Sequence, residues 1–567
     1  MSLSTVRQRI LSDSNTNTGS IQDEMKSYSM TPVPNDGINV YGNVRINPET
    51  SGPYSDSQEI TVSLCSPNFD VTEFDNSYLH LRLRLRMRFQ NAPTVTGTDD
   101  FAKALRENQF VFVGLKCGNQ ILRNYSFKFN NVPVSSTVQS NAVYESFLYS
   151  TYMSKGEREN KKYVFSPYEE VSTLDNSLCG MYVPLKDLVD GTYFYMDLIL
   201  PYQMILAMSG WKEFPNRIFG DLKFVFNITS EAFVYAEVNP ITSIRKAIIS
   251  GKVSKTTDHI TEILALDADT FEYQHAFEQV GVASGVQYIT GYDSTNNRLT
   301  YGTMASFAPY IDEITTMEVW ADSRGYRMKS EAIQNLKEHF SQNPFTVAAQ
   351  KVEIFQFPQG AESTGLRASM NVNFNHTTDV YLLFPRDSRH RTIFTNICYD
   401  NLQLQIGSQR LPEQLVSTVS PQFHEIQIQN SDFDSIFPAS EEWEHSLTDT
   451  RTDGTTILRP ITDDSSFVVA YSLERDSGGG LNESLWFDGK NAITEKVELT
   501  GRPLYSNIDV YYSQTAPPPP PLMATCCDSY WIMRLIRAPS GRFVPNVQFV
   551  CRHTYEEAYQ DPSIEAA

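Results

Sequence analysis

Residues 78–89, YLHLRLRLRMRF, alternate strictly between apolar and polar side chains. Leu79, Leu81, Leu83, Leu85, Met87 and Phe89 share one parity; His80, Arg82, Arg84, Arg86 and Arg88 share the other. An extended chain sends successive side chains to opposite faces, so the spacing predicts one long strand with an apolar face and a basic face. A helix would scatter both sets around its circumference. The guanidinium groups recur every ~7 Å along such a strand. Three readings compete for the basic row: an ion-paired packing face against the chain's own acids, a contact with another subunit, or a seat for nucleic-acid phosphate. With 67 Asp and Glu in the chain, the ion-paired face is preferred. Arg82, Arg84, Arg86 and Arg88 are therefore taken together as an assembly or ion-pair face.

The same two-residue period continues along the chain. It predicts strands over 58–65, 111–117, 121–129, 192–200, 221–229 and 233–238, then over 274–279, 286–290, 314–320, 352–357, 368–374, 380–384, 402–406, 466–473, 495–499 and 508–512. A hairpin of 529–537 against 543–551 closes the series through Ala538, Pro539, Ser540 and Gly541. Two helices interrupt it. One follows Ser140, lines up Val143, Phe147, Leu148 and Thr151, and stops at Gly156; the other covers 331–342, with Ser330 as its cap, Ile333, Leu336 and Phe340 on one face, and Pro344 as its stop. An alternating strand, a turn and a hydrophobic residue before proline occur in SFKFNNVPV and again, near the middle of the second half, in LQLQIGSQRLPEQ.

Strands never alternate regularly with helices, which argues against a parallel α/β sheet. The expected fold is all-β with a few inserted helices: two consecutive antiparallel sandwiches of jelly-roll size. The expected boundaries are an N-terminal arm over 1–37, a first sandwich with an inserted helix over 38–250, a second with long loops over 251–555, and an acidic tail over 556–567.

Composition supports a packed β protein. The 567 residues are 41% hydrophobic and 12% aromatic, too aromatic for a disordered chain. The formal net charge of -21 argues against binding nucleic acid over the whole surface. Seven scattered cysteines suggest a reducing compartment with buried thiols. The N-terminal stretch lacks the apolar core of a signal peptide, and the longest apolar run, 198–208 (LILPYQMILAM), contains Pro201 and Gln203 and is too short to span a bilayer. The expectation is a soluble protein made in the cytosol, where the sequons at Asn124, Asn227, Asn375 and Asn482 carry little weight.

No catalytic motif emerges. His424 and Glu425 begin a zinc-protease pattern, but position 428 is Ile. GVASG over 281–285 places Ser one position too late for a nucleophile elbow, and no phosphate-binding loop of the GxxxxGK[ST] type occurs. Cys526, Cys527, Cys551 and His553 form one metal-like grouping, yet adjacent cysteines on a strand point to opposite faces, which favours buried thiols over zinc. Glu441, Glu442 and Glu444 beside Trp443, and the pair Asp463 and Asp464, read as solvated loop acids. Trp211, Trp320, Trp443, Trp486 and Trp531 read as core or interface residues. The glycines at 478–480 read as a flexible tip, and the prolines at 517–521 as a rigid spacer. No enzyme, cofactor or metal is expected.

In this setting FDVTEFDNSYLHLRLRLRMRF and TYFYMDLILPY in the first half, and VYLLFPRDSRHRTIFTNICYDNLQLQIGSQRLP, WFDGKNAITEKVELTGRPLYSNIDVYY and YWIMRLIRAPSGRFVPNV in the second, resemble a double jelly-roll major capsid protein of the branch that includes virophages and polinton-like viruses. The resemblance covers about residues 38–555 and rests on order and spacing, not on a catalytic signature. It implies a homotrimeric capsomer of pseudo-hexagonal outline that builds an icosahedral shell. Its partners would be copies of itself and neighbouring capsomers, with penton and minor capsid proteins. It implies a virion protein made in the host cytoplasm, with no strong direct nucleic-acid binding, and it leaves an inner membrane open. The alternative from another class is a multidomain β-sandwich protein that binds or cleaves carbohydrate, with Trp443 and Glu442 as its candidate residues. A receptor-binding spike would instead carry a smaller shaft and head.

Overall fold

The computed structural model describes residues 38–89, 110–115, 118–134, 164–165, 179–184, 191–208, 210–237, 287–293, 298–303, 309–358, 365–374, 377–387, 390–394, 399–412, 468–473, 493–503 and 520–551. The arm over 1–37, the helix expected between Ser140 and Gly156, the strands expected over 274–279 and 508–512, and the tail over 556–567 lie outside these residues.

The first half is built chiefly on β1 (Ile38–Ile46), β2 (Ile60–Ser63), β3 (Val71–Phe89), β4 (Leu122–Phe129), β5 (Val132–Pro133), β6 (Val164–Phe165), β7 (Tyr193–Pro201), a helical turn α1 (Asn216–Phe219), β8 (Leu222–Ile228) and β9 (Pro309–Met328), with shorter strands between them. Helix α2 (Ser330–Gln342) leads into the second half: β10 (Phe345–Gln356), β11 (Leu366–Phe374), β12 (Thr377–Leu383), β13 (Tyr399–Ile406), β14 (Gln409–Leu411), β15 (Val469–Ser472), β16 (Ile493–Pro503), β17 (Leu522–Arg537) and β18 (Phe543–Cys551).

The two halves share one topology over eight strands each. In the first, one sheet runs β1-β9-β3-β7-β6 and the other β2-β8-β4-β5. In the second, the corresponding sheets run β10-β17-β12-β15 and β11-β16-β13-β14. Pairs are nested in both: β2 lies on β8 and β3 on β7, as β11 lies on β16 and β12 on β15. Early strands thus pair antiparallel with late ones, the wrap of a jelly roll. Both halves carry an outer pair as well, β1 on β9 and β10 on β17. The two turns that echo each other in the sequence occupy equivalent places, between β4 and β5 and between β13 and β14. Asn130 and Asn131 (φ 46 and 68) and Gly407 (φ 57) supply the left-handed backbone those turns require.

Strand β9 departs from the expected division of the chain. Placed by sequence in a second half starting at 251, it is hydrogen-bonded to β3 along nearly its whole length. The break between the sandwiches therefore falls at α2. Charge complementarity explains the pairing, because β9 carries the acids that face the arginine row of β3. Strand β1 was not expected either; Gly42 and Asn43 interrupt its hydrophobic pattern, and it is held as a neighbour of β9. In α2 the cap position is Lys329, whose side chain makes no capping bond, and the expected cap Ser330 is the first helical residue.

The first core forms where the leucine face of β3 meets β8 and β4. Leu79, Leu81, Leu83, Leu85 and Met87 are fully buried with Met196 and Leu198 of β7 and with Leu222, Phe224 and Phe226 of β8. The second core collects Val372, Val380, Leu382, Leu404, Val497 and Leu499. Strands β10 and β17 are covered on both faces. Ala348, Val352, Tyr530 and Ile532 point into the second core, whereas Phe345, Val347, Ala349, Trp531 and Met533 belong to the core of the first half. The apolar run over 198–208 accounts for this. It finishes β7 and then plugs the seam between the sandwiches, where Trp531 Nε1 donates to the Ala207 carbonyl at 2.6 Å. Trp211 lies 5.6 Å from Trp531, and Phe340 of α2 lies 5.4 Å from both Phe219 and Phe345, ring centre to ring centre. No helix among the described residues is long and apolar enough to cross a membrane.

Candidate assembly face

Because the odd positions of β3 fill the core, its even positions form the outer face of the larger first sheet. Strand β7 lies on one side, with Tyr193 opposite Arg86, Tyr195 opposite Arg84 and Asp197 opposite Arg82. Strand β9 lies on the other, with Glu313 opposite Arg86, Thr315 opposite Arg84 and Glu318 opposite Arg82. The β9 register shifts three times, between Ile311 and Glu313, Thr316 and Glu318, and Asp322 and Arg324. These bulges reset the side-chain parity and keep its acids on the arginine side.

All four predicted arginines are ion-paired within the chain. Arg84 reaches Glu313 at 3.0 Å; Arg86 bridges Asp312 at 2.6 Å and Glu313 at 3.2 Å; Arg88 meets Asp312 at 3.0 Å; Arg82 lies 3.7 Å from Asp197. Tyr193 joins the network, donating its hydroxyl to Glu313 at 2.8 Å and accepting from Arg86 at 2.8 Å. The Arg84 and Arg86 guanidinium carbons lie 4.7 and 5.0 Å from the centre of its ring, and that of Arg82 lies 5.8 Å from Tyr195.

The network sets the protonation states. The hydrogen bond from Tyr193, followed by the neighbouring arginines, holds the Glu313 carboxyl below its usual range. The same bond pushes the Tyr193 phenol up. The Asp312 hydrogen bond keeps Arg86 firmly charged. Farther along, His80 stacks on Trp320 with ring centres 3.8 Å apart, and the Arg45 guanidinium sits 4.0 Å from the same indole. Burial lowers the His80 pKa and favours its neutral form.

A phosphate backbone needs cations with unspent charge. Here Asp197, Asp312, Glu313 and Glu318 stand against the arginines, so the face is nearly neutral and already hydrogen-bonded. The chemistry left for a partner is that of tyrosine faces and charged rims, the composition of protein interfaces.

The basic row was legible from the sequence. Its partners Tyr193, Tyr195, Asp312, Glu313 and Arg45 were not singled out, and Trp320 only as a core or interface residue. A signal existed in TYFYMDLIL, where Tyr193, Tyr195 and Asp197 share the parity opposite to Phe194, Met196 and Leu198.

The remaining candidates fall elsewhere. Cys65, Cys526 and Cys527 are buried; Cys526 belongs to the second core, and Cys527 Sγ lies 3.7 Å from Thr377 Oγ1. The described residues include no group of three His, Cys, Asp or Glu arranged to hold a metal ion. His553, His424, Glu425, Trp443, Trp486, the acids at 441–444 and 463–464, the glycines at 478–480 and the prolines at 517–519 lie outside the described residues. Pro521 leads into β17 and accepts from the Phe357 amide at 3.0 Å.

No protein-family model and no curated protein sequence matches the chain. Among solved structures, the chain is similar to the mavirus major capsid protein, with 10% identity, a TM-score of 0.46 and coverage of 94% of each chain. It is similar to a chain of the Sputnik virophage, with 10% identity, a TM-score of 0.44 and coverage of 94% of this chain and 92% of that one. It is also similar to the Faustovirus major capsid protein, with 8% identity, a TM-score of 0.42 and coverage of 93% and 98%.

Proposed function

We propose that the chain is a viral major capsid protein that associates with itself as homotrimers of pseudo-hexagonal outline and so builds an icosahedral shell. The observation that carries this reading is the duplication: one jelly-roll topology occurs twice in a single chain, and the second copy is fixed to the first through a fully buried aromatic seam. Two similar sandwiches rigidly joined are a repeating building unit. Three such chains around an axis present six similar walls and tile a hexagonal lattice. The self-neutralised arginine face supports a structural role without genome binding. Penton and minor capsid proteins are the further partners this role calls for, the virion is its location, and the host cytoplasm is its site of synthesis.

The test is the mass and outline of the purified protein. Light scattering should give three times the chain mass of 64.4 kDa, and negative-stain images should show three-fold particles with six-sided outlines. A chain that stays monomeric at every concentration and never enters particles overturns the proposal.

A further inference from the structure

We infer that the tip of the β17–β18 hairpin is a docking surface for a lipid bilayer with anionic headgroups. The tip lies outside both sandwich cores and the arginine row, and its chemistry does not depend on the capsid reading.

Strand β17 runs past the start of β10. Phe345 pairs with Met533, and beyond it residues 534–537 pair with β18 alone among the described residues. The turn is closed by Gly541 (φ 79), whose amide donates to the Ala538 carbonyl at 2.8 Å, and by the Ala538 amide, which donates to the Arg542 carbonyl at 2.9 Å. A Cβ at Gly541 would meet nothing within 4 Å, so the turn projects from the body of the protein. Phe543 lies opposite Arg537 on one face of the ribbon, and Val544 opposite Ile536 on the other. Phe543 is 54% exposed and Val544 49%. Arg537 and Arg542 are exposed too and have no ion-pair partner among the described residues. No Asp or Glu occurs between Ser529 and Cys551, in a chain whose net charge is -21. The arginines of β3, by contrast, are all paired with acids. A projecting tip cannot enclose a small ligand, and its apolar side chains leave water only in a layer that yields to them. The headgroup boundary of a bilayer is such a layer, taking Phe and Val to acyl depth while arginines stay at the phosphates. Anionic lipid adds attraction for each arginine near the surface. At physiological salt charges are felt over about 8 Å, so the projecting arginines act there and the acidic remainder of the chain is screened. Nucleic acid would use the arginines but offer Phe543 and Val544 no apolar layer, and two cations make few phosphate contacts.

Flotation of the full chain with lipid vesicles tests this. The protein should float with vesicles of mixed phosphatidylcholine and phosphatidylglycerol and stay behind with pure phosphatidylcholine. Arg537→Gln combined with Arg542→Gln should weaken binding about 30-fold, the loss of two arginine contacts at an anionic surface. Phe543→Ser should weaken it about 10-fold, and Phe543→Trp should keep it. Because these positions are exposed, every variant should retain the thermal midpoint of wild type, which separates lost binding from lost folding. Wild-type protein that fails to float with the mixed vesicles, floats equally well with pure phosphatidylcholine, or floats undiminished in the arginine and Phe543→Ser variants overturns the lipid surface. Duplex DNA bound through the same two arginines, equally by wild type and Phe543→Ser and with vesicles left unbound, would also overturn it, in favour of nucleic acid. The oligomeric state of the same samples tests the capsid reading separately.

Discussion

Trp531 offers the sharpest perturbation of the fold, because it lies in a second-half strand but packs in the first-half core. Its side chain is fully buried, its ring centre lies 5.2 Å from that of Phe127 and 5.6 Å from that of Trp211, and its indole N–H is hydrogen-bonded to the Ala207 carbonyl. Trp531→Phe keeps most of the ring and strands that carbonyl, at a cost of about 1–3 kcal/mol for a buried acceptor left unpaired. Trp531→Ala also opens a cavity between the halves, and truncation of a buried Trp alone costs about 3–5 kcal/mol, so the combined loss is expected at about 4–6 kcal/mol after partial relaxation. For units of this size each kcal/mol moves the thermal midpoint by about 2–4 °C. Far-ultraviolet circular dichroism is the right probe, since the substitution removes a fluorophore. The alanine variant should also resolve one unfolding transition into two as the sandwiches uncouple. A phenylalanine variant within about 0.5 kcal/mol of wild type, the range of an ordinary surface change, together with an unsplit transition in the alanine variant, would refute the seam as the coupling element.

Three further outcomes follow from the same geometry. A Cβ at Gly325 would sit 2.3 Å from the Val71 carbonyl and 2.9 Å from the Phe69 ring, so Gly325→Ala should destabilise by about 2–3 kcal/mol through overpacking, measurable as a lowered denaturant midpoint. Arg86→Glu should lower the thermal midpoint, most strongly at low salt, and the added reversal Asp312→Arg should restore part of it; equal midpoints for the single and double variants would deny the pair. In acid, His80 and Glu313 act in the same direction. Both have folded pKa values below their ordinary ones, so each contributes stability that is present above its unfolded pKa and lost as pH falls through the folded value. The His80 contribution should fade below about pH 6.5 and that of Glu313 below about pH 4.3. His80 faces Asp197, Glu318, Arg45 and Arg82. His80→Gln should flatten the upper part of the midpoint-against-pH curve and Glu313→Gln the lower part; unchanged slopes would refute the assignment.

Where the physical cause is local, the sequence carried the answer. Alternation over 78–89 gave β3 and both of its faces, and the NNVP turn gave the β4–β5 corner, because parity and left-handed backbone are properties of a few consecutive residues. Two features depended on distant partners and were hidden. The membership of β9 in the first sandwich is decided by acids more than 200 residues along the chain from the arginines they meet, as with Arg84 and Glu313, and the nearest-neighbour strand grammar that assigned it to the second half contains no such information. The run over 198–208 is apolar but for Tyr202 and Gln203, so its pattern does not distinguish a core strand from a seam filler. Only its contact with Trp531 and with strand β10 shows that it serves as both.

The arginine row illustrates how a sequence pattern constrains function by what surrounds it. Four guanidinium groups in line would bind phosphate if their neighbours were neutral. With acids from β9 on one flank and tyrosines from β7 on the other, their charge is spent on holding three strands in one register. The three bulges of β9 are the structural means, since a strand of unbroken parity would turn part of its acids toward the leucine core. What remains outward is a surface rich in tyrosine and arginine, on which Tyr193 and Tyr195 stay exposed.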